Sequence, residues 1–203
     1  MTRLILIGAG GHGKVTADVA GETGYSDVVF VDQNFLERTS NGAWNIIGSV
    51  DELASIMKRR DKVFVSVGDN LARAKITNEL DLPLITLIHP RAIVSKQAII
   101  GEGSLIVAGA VINTDAEIGK GVILNTSCTV DHDCQIGDFV HVSPGANIAG
   151  GCSIGAGSWI GIGACVRQGI IIGANVMVGA GAVVVKNISD NTTVMGAPAK
   201  AVS

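Results

Sequence analysis

The sequence predicts a chain of two parts: an α/β domain over residues 1–90, followed by a parallel β-helix of hexapeptide repeats over residues 91–203. Strand-like and helix-like segments alternate in the first part. In the second part an aliphatic residue recurs at every sixth position from Val94 to Val184. The chain also has 27 glycines but only 3% aromatic residues, which suits an interior too narrow for rings.

The first ninety residues alternate between apolar runs and stretches typical of helices. Ser49 and Glu52 have the spacing of a capping box, which predicts the start of a helix. The predicted strands are residues 4–7, 28–32, 63–67 and 84–88, and the predicted helices are 14–20, a segment from about 49 to 59, and 70–80. This alternation predicts a small parallel sheet.

A glycine-rich turn, Gly8-Ala9-Gly10-Gly11-His12-Gly13, follows the first predicted strand, and Asp32 ends the second. Its form matches the dinucleotide-binding fingerprint, in which glycines let a phosphate approach the backbone at a helix N-terminus. A complete dinucleotide fold needs two such halves, and ninety residues hold one, so we expect a half-Rossmann-like domain. A nucleotide diphosphate is therefore favoured over NAD, while a ligand-free turn, with His12 merely packed, remains the alternative.

The second part follows one rule over some ninety residues. Its sixth-position series is Val94, Ile100, Ile106, Ile112, Ile118, Leu124, Val130, Ile136, Val142, Ile148, Ile154, Ile160, Val166, Ile172, Val178 and Val184. Four residues after each aliphatic comes a small or aliphatic residue, and three after it glycine dominates. Neither a helix nor an amphipathic strand has a period of six. Three hexapeptides make an 18-residue coil, and the coils stack about 4.8 Å apart.

Charge, cysteines and termini exclude several classes. A net charge of −3 gives no indication of the basic surface that binds nucleic acid. The four cysteines lack CxxC spacing, so they indicate neither a disulfide framework nor a zinc site, and three of them fall in the small inward column. The N-terminus does not read as a secretory signal, and the apolar stretch 169–185 obeys the repeat rather than a membrane span. We therefore expect a cytoplasmic protein.

One polar triplet in the repeat could carry chemistry. Asp131-His132-Asp133 follows an inward position closely enough to lie at an outward face or corner. A neutral imidazole accepts a proton near pH 7, and an adjacent carboxylate can hold its tautomer. Gly150 follows His132 by one coil, so its N–H should lie about 4.8 Å away, where it could serve an oxyanion. The alternative is a merely solvated polar corner.

The other histidines support no metal site. His141 directly precedes an inward residue, with Trp159 one coil later. His89 precedes Pro90 at the domain boundary, where we expect a structural role. A zinc enzyme on a β-helix, such as a γ-type carbonic anhydrase, needs three histidine ligands, but only His132 and His141 lie in the repeat. We therefore expect no metal.

With these motifs the chain resembles the hexapeptide acyltransferase superfamily. Over nearly its whole length it is similar to the sialic-acid O-acetyltransferase-like family, which includes bacterial N-acetyltransferases of UDP- or GDP-linked amino sugars. The matching segments are Gly8 to Gly13, Ser66-Val67-Gly68-Asp69-Asn70-x-x-Arg73, His89-Pro90, Asn125-Thr126-x-x-x-x-Asp131-His132-Asp133, Gly137-Asp138-Phe139-x-His141-Val142-Ser143, and Gly196-Ala197-Pro198-Ala199-Lys200.

The resemblance implies a left-handed β-helix and a homotrimer with acetyl-CoA in a cleft between neighbouring β-helices. It implies direct transfer of acetyl to the amino group of a nucleotide-linked sugar, with His132 as general base and Asp133 as its orienting carboxylate. His141 and Gly150 would bind acetyl-CoA, and Gly150 would meet the thioester oxygen. The substrate would be held by Gly10, Gly11, His12, Gly13, Asp32 and Asn125.

Three other functions remain open at this stage. A sugar O-acetyltransferase uses the same parts, and the sequence does not separate it from an N-acetyltransferase. A non-catalytic protein that binds a nucleotide sugar would keep the N-terminal turn but transfer no acetyl group. An NAD oxidoreductase would bind NAD, which a fluorescence titration would detect.

Overall fold

The computed structural model describes residues 2–80 and 82–202, which form two compact units that divide between Pro90 and Arg91. The elements of the N-terminal unit are, in chain order, β1 (Arg3–Ile7), α1 (Gly11–Glu22), β2 (Asp27–Val31), β3 (Ser40–Asn41), β4 (Trp44–Asn45), α2 (Leu53–Ile56), β5 (Lys62–Val65), α3 (Asn70–Glu79) and β6 (Leu87–Ile88).

A parallel sheet with the order β2-β1-β5 forms the centre of this unit. Strand β1 lies in the middle, with Leu4 paired to Val28 on one side and to Lys62 on the other. All four residues from Leu4 to Ile7 are fully buried, because a central parallel strand is covered on both faces. This explains the uninterrupted apolar run, and it confirms the predicted α/β class.

Helix α2 is much shorter than the spacing of Ser49 and Glu52 predicts. The Glu52 carboxylate accepts from the Ser49 N–H at 2.8 Å, as in a capping box, but the helix covers only Leu53–Ile56. The Arg3 guanidinium donates to the Ile56 carbonyl at 2.9 Å and also binds Asp61, whose carboxylate accepts from a backbone N–H of the following turn. These long-range contacts end the helix early.

The predicted fourth strand and first helix also differ from the structure at their ends. Of the segment 84–88, Leu84 makes a single parallel bridge to Val63, and Leu87–Ile88 forms the short β6. Helix α1 begins at Gly11 rather than at Lys14, because the glycine-rich residues themselves form its first turn. His12 therefore lies on the helix and not in the loop before it.

The second unit is the predicted parallel β-helix. Its two-residue strands are β7 (Ile93–Val94), β8 (Ile99–Ile100), β9 (Leu105–Ile106), β10 (Val111–Ile112), β11 (Glu117–Ile118), β12 (Ile123–Leu124), β13 (Thr129–Val130), β14 (Gln135–Ile136), β15 (His141–Val142), β16 (Asn147–Ile148), β17 (Ser153–Ile154), β18 (Trp159–Ile160), β19 (Cys165–Val166), β20 (Ile171–Ile172), β21 (Met177–Val178) and β22 (Val183–Val184). A three-residue β23 (Thr193–Met195) and β24 (Lys200–Ala201) close the chain as an antiparallel pair.

The strands stack into three sheets, and from β7 to β22 each residue pairs with the one 18 positions away. The orders are β22-β19-β16-β13-β10-β7, β20-β17-β14-β11-β8, and β24-β23-β21-β18-β15-β12-β9. The second residue of each strand joins the small residue of the following corner in one continuous apolar core. Cys128, Cys134 and Cys152 are part of it and are fully buried, as predicted.

The corners that follow the inward aliphatics from Ile100 to Val178 each contain one residue in the left-handed conformation. These residues, three positions after the aliphatic, are Gly103, Gly109, Asp115, Gly121, Ser127, Asp133, Phe139, Gly145, Gly151, Gly157, Gly163, Gly169, Asn175 and Gly181. Glycine dominates because left-handed φ costs it nothing, and Asp and Asn tolerate that region best among other residues. Asp133 therefore owes its place and its direction to the turn of the solenoid.

No helix in the described parts of the chain combines the length and the apolar character needed to cross a bilayer.

Candidate active site

His132 and Asp133 form a hydrogen-bonded pair at the corner between β13 and β14. The imidazole Nδ1 lies 2.7 Å from Asp133 Oδ2, and both side chains are open to solvent, with 56% and 67% of their surface exposed. Because a carboxylate only accepts, Nδ1 carries the proton and Nε2 of the neutral ring is left as an acceptor. This pairing is the arrangement in which a histidine can take a proton from a nucleophile.

Neighbouring carboxylates raise the pKa of His132 above its ordinary value. The largest cause is the hydrogen bond from the ring to Asp133, and the charge of Asp131 adds to it. Both groups stabilise the protonated ring. The neutral, proton-accepting form therefore becomes predominant at a higher pH than in a histidine without these neighbours.

Gly150 lies beside the reactive nitrogen of His132. A Cβ built on Gly150 would stand 2.5 Å from His132 Nε2, so any side chain there would displace the ring. The next N–H, that of Gly151, donates to the His132 carbonyl at 2.9 Å and fixes the two coils against each other. Within residues 2–80 and 82–202, no hydrogen bond takes up the Gly150 N–H, which leaves this donor next to the imidazole.

A polar contact between coils supports this corner. Asp131 Oδ1 accepts from the backbone N–H of His132 and from Asn113 Nδ2, both at 2.8 Å. Asn113 precedes Asp131 by 18 residues, one coil. The hydrogen bond to the His132 N–H is the largest cause that lowers the pKa of Asp131, and the Asn113 bond follows it. The sequence alone assigns no role to Asp131 or to Asn113, although the period of 18 places them side by side.

Asn125 and His141 meet at a different corner of the solenoid. Asn125 Nδ2 lies 3.1 Å from His141 Nε2, and the His141 ring, only 4% exposed, packs on Trp159 with ring centroids 4.0 Å apart. The pairing of His141 with Trp159 in adjacent strands is what the period predicts. These residues follow or lie in β12, β15 and β18, whereas His132 follows β13.

The glycines of the N-terminal turn serve two separate purposes. Gly8 has φ +102°, and a Cβ on Gly13 would lie 2.5 Å from the Gly8 carbonyl oxygen, so these two are required by the turn and by packing. A Cβ on Gly10 or Gly11 would meet nothing within 4 Å. The chain therefore has no internal reason for glycine at these two positions, which leave an open approach to the backbone at the start of α1.

Asp32 organises this turn from the end of β2. Its carboxylate accepts from the Ala9 N–H at 2.6 Å and from the Asn34 N–H at 2.9 Å. Asn41 donates to the Gly10 carbonyl at 3.1 Å from the other side. A cavity of about 580 Å³, lined in part by Gly8 and Asp32, opens at the carboxyl ends of the parallel strands, the place where α/β sheets bind ligands.

His12 stays neutral at physiological pH. Burial and, in second place, the charge of Arg73 together lower its pKa to about 4. Arg73 is itself 1% exposed, and its guanidinium donates to the carbonyls of Val67 and Gly68 and to the Asn70 side chain. This buried arginine follows from the motif Ser66 to Arg73, but nothing in the sequence alone shows that it faces His12.

The predicted site residues thus fall into three groups. Gly10 to Gly13 lie together with Asp32 in the N-terminal unit; His132, Asp133 and Gly150 share one corner of the solenoid; Asn125 and His141 share another. The described residues contain no cluster of three or more His, Cys, Asp or Glu side chains that could hold a metal ion.

Comparison with known proteins assigns both parts of the chain. Residues 3–80 match the family described as the PglD N-terminal domain, and residues 151–186 match the bacterial transferase hexapeptide (six repeats). A solved structure of the acetyltransferase domain of PglB from Neisseria gonorrhoeae FA1090 superposes with a TM-score of 0.94 at 44% identity, covering 98% of this chain and 99% of that one. The chain belongs to the PglD-type family of hexapeptide-repeat sugar N-acetyltransferases.

Two further relatives are informative. PerB from Caulobacter crescentus, solved in complex with CoA and GDP-perosamine, superposes with a TM-score of 0.94 at 35% identity over 99% of this chain and 97% of that one. UDP-N-acetylbacillosamine N-acetyltransferase of Bacillus subtilis (strain 168) is 40% identical over 115 residues, which are 53% of this chain and 52% of that protein. The match thus spans about half the length of this curated relative.

Proposed function

We propose that the protein transfers acetyl from acetyl-CoA to the amino group of a nucleotide-linked amino sugar. The single observation that carries the proposal is the His132–Asp133 pair beside the Gly150 N–H. The same PglB domain is known in complex with acetyl coenzyme A, and PerB with CoA and GDP-perosamine, which supports this pair of substrates. We also propose that the protein acts in the cytoplasm.

The chemistry that this corner supports is direct transfer. The sugar amine attacks the thioester carbonyl carbon while His132 Nε2 takes the amine proton; a C–N bond forms, the C–S bond breaks, and CoA leaves as the thiol once it is protonated. The Gly150 N–H would stabilise the oxyanion of the tetrahedral intermediate. Asp133, which accepts from Nδ1, would stabilise the imidazolium formed in this step.

A covalent route through cysteine fits poorly. Cys128 and Cys134 are fully buried in the core of the solenoid. Burial raises the pKa of the Cys128 thiol to about 12. A thiol that is neither ionised nor accessible cannot attack a thioester.

The nucleotide diphosphate would bind at the N-terminal turn. Open backbone at Gly10 and Gly11 lets a phosphate reach the start of α1, where unpaired N–H groups and the helix dipole favour an anion. A neutral His12 can donate one hydrogen bond there without the cost of a buried charge. The base and ribose would occupy the cavity beside Asp32.

The working form would be a homotrimer. Asn125 and His141 lie at one corner of the prism and His132 at another, so a second copy of the chain is the natural means of bringing both groups to one acetyl-CoA. Cyclic trimers suit a triangular prism because each copy presents the same two surfaces to its neighbours. In this arrangement His141 and Trp159 would line the cleft that holds the thioester end of acetyl-CoA. Asn125 would contact the sugar.

The function is tested by following CoA thiol release with UDP-, GDP- and dTDP-linked amino sugars, each paired with the corresponding hydroxy sugar. We expect turnover with at least one amino sugar and at least a tenfold loss in His132→Ala, since a general base contributes about 10²–10⁴-fold. Turnover with hydroxy sugars alone would instead make it an O-acetyltransferase. Binding without turnover would identify a non-catalytic protein, and unchanged turnover in His132→Ala would reject the base.

The trimer is tested by complementation between inactive variants. His132→Ala and Asn125→Ala chains are unfolded together, refolded as a mixture and assayed. If one site uses His132 of one copy and Asn125 of the next, roughly a quarter of the sites in a random mixture carry both native residues. Each variant refolded alone is the control. A mixture as inactive as its components, or a monomer by light scattering, contradicts the shared site.

A further inference from the structure

Three polar groups on two successive coils are linked at the reacting corner. Asn113 Nδ2 donates to Asp131 Oδ1 at 2.8 Å, and the same oxygen accepts from the His132 N–H, also at 2.8 Å. The pairing of β10 with β13 puts Asn113 and Asp131 side by side immediately after the paired residues Ile112 and Val130. The contact therefore follows from the backbone register.

The equivalent corner N–H groups are satisfied in two ways. Those of Lys120 and Ala174 donate to carboxylates from the next coil, Asp138 and Asp190, each at 2.9 Å. At His132, as at Thr126, the acceptor is the side chain of the preceding residue, and at His132 that side chain is held by an amide from the previous coil. A bond to a carboxylate from the following coil would bring a side chain to the position of Gly150, which must stay open beside the ring.

We propose that Asn113 and Asp131 are positioning residues for His132. Asn113 orients the Asp131 carboxylate, which fixes the backbone of His132 and places a second negative charge behind the imidazole. The inference rests on the proposed role of His132 as base. Its physical content is that the ring is held at both ends, by Asp133 through Nδ1 and by Asp131 through the main chain, so that Nε2 stays beside Gly150.

Carboxylates dominate the charges around this ring. Asp133 contacts it, and Asp131 raises its pKa through space. Asp115 lies one coil earlier in the column of Asp133, beside Thr114, whose carbonyl accepts from the Asp133 N–H. On the following coil the neighbours are Gly150 and Gly151, which carry no charge. The ring is exposed, so the charge effect should weaken as salt is added.

The first arm of the test separates the hydrogen bond from the charge. Asn113→Ala removes the amide but no titratable group, and Asp131→Ala removes both the acceptor and the charge. We expect Asn113→Ala to lower kcat/KM roughly 2- to 10-fold, the usual range for one hydrogen bond. It should have little further effect in the Asp131→Ala background, because Asn113 acts through Asp131. Additive losses in the double variant would overturn the inference, as would full activity of Asn113→Ala.

The second arm of the test measures the pKa of the His132 ring directly. The pKa of His132 is measured by NMR on protein labelled at histidine Cε1, in the native chain, in Asp131→Asn and in Asp138→Asn at low ionic strength. Asp131→Asn keeps an acceptor for the His132 N–H but loses the charge, so we expect a lower His132 pKa and an acid limb of kcat/KM at lower pH. Asp138→Asn removes a carboxylate that accepts a backbone N–H at another corner, so it should leave the His132 pKa unchanged.

The two proposals fail in different ways. An unchanged His132 pKa in Asp131→Asn, or an equal fall in Asp138→Asn, overturns the positioning role whatever the activity of His132→Ala. An active His132→Ala overturns the proposed base instead, and the titration would still report whether Asp131 acts on the ring.

Discussion

At the scale of residues, the neighbouring His132 ring explains why position 150 holds glycine. A methyl group on Gly150 would stand 2.5 Å from the Nε2 of His132 and would occupy the space beside it. In the proposed mechanism a proton acceptor and an oxyanion donor serve one tetrahedral intermediate there. The ring rather than the backbone excludes a side chain at this position, since Gly150 is not among the residues with positive φ.

Gly150→Ala should abolish most of the activity without unfolding the protein. The imidazole is exposed and can swing away from the new Cβ, which removes Nε2 from the reacting atoms. We expect a loss of kcat/KM comparable to that of His132→Ala, about 10²-fold or more, and little change in Tm. In the His132→Ala background the same change should cost nothing further. A Gly150→Ala protein with native kcat/KM would contradict the geometry.

Much of this corner can be predicted from the sequence because the period of 18 assigns neighbours. The arithmetic that pairs His132 with Gly150 and His141 with Trp159 agrees with the structure. The same period also places Asn113 beside Asp131. An asparagine at an exposed corner is usually solvated, however, so the residue type alone does not indicate this contact. The catalytic roles of these residues stay predictions.

At the scale of elements, the turn between β1 and α1 combines a structural and an open pair of glycines. Gly8 and Gly13 are required by backbone conformation and close packing, and Gly10 and Gly11 are exposed with free space above them. Both pairs look alike in the sequence. Only the structure separates the glycines that build the turn from those that leave it accessible.

Gly11→Ala and Gly13→Ala should therefore behave in opposite ways. Alanine at Gly11, in the first turn of α1, should raise stability by about 0.4–1 kcal/mol and weaken binding of the nucleotide sugar. Alanine at Gly13 would press against the Gly8 carbonyl and should lower stability by about 1–3 kcal/mol. Urea unfolding and calorimetric titration measure both. Equal stabilities, or native affinity in Gly11→Ala, would contradict this division.

His12 should make the N-terminal unit sensitive to acid. Its pKa is about 4 in the fold and near 6.5 when exposed, so the unfolded chain takes up a proton first as the pH falls. Stability is then full above pH 6.5 and is lost between 6.5 and 4, with a difference of about 2 kcal/mol between pH 7 and pH 5. Urea unfolding followed by Trp44 fluorescence in a Trp159→Phe background measures it.

His12→Gln should lose this part of the pH dependence. His132→Gln is a matched control, because the pKa of His132 is raised and its contribution has the opposite sign, falling as the pH rises. An identical pH dependence in the native chain and in His12→Gln would show that the imidazole is not held neutral.

Helices and strands can be predicted from the sequence where a local pattern sets their ends. They are harder to predict where contacts with distant residues set those ends. β1, β2 and β5 are apolar runs, and α3 has Asp69 as its N-cap, whose side chain accepts from the Ala72 N–H at 2.8 Å. The early end of α2 depends on Arg3, more than fifty residues away, and no local signal reports it.

At the scale of the whole molecule, the solenoid buries one apolar interior that runs from Ile106 to Val184. Cys134 Sγ donates to the Ala149 carbonyl and Cys152 Sγ to that of Arg167, so both thiols lie inside the stack and bond to corners of the coil. Cys165 is exposed on the outer surface of β19. The fold class could be predicted from the sixth-position series alone, because such a series fits no other regular structure.

Thiol titration should report the integrity of this interior. We expect at most one of the four cysteines, Cys165, to react quickly with a disulfide reagent in the native protein, and all four after denaturation. Burial raises the pKa of Cys128, and the contact with Cys152 together with burial raises that of Cys134, which slows the reaction of both thiols further. Cys165→Ser should remove the fast reaction and serves as the control. Two or more fast thiols in the native protein would contradict the packed core.

The position of His132 along the stack has a consequence for how the protein loses structure. In the sheet order β22-β19-β16-β13-β10-β7, the strands that precede His132 and Gly150 are β13 and β16, the two in the middle. Coils of a solenoid are stabilised mainly by their neighbours, so fraying begins at the outer coils and moves inward. The hydrogen-bonded amides of β13 and β16 should then be among the last to exchange with deuterium. Transient opening of the outer coils would leave the corner of His132 intact.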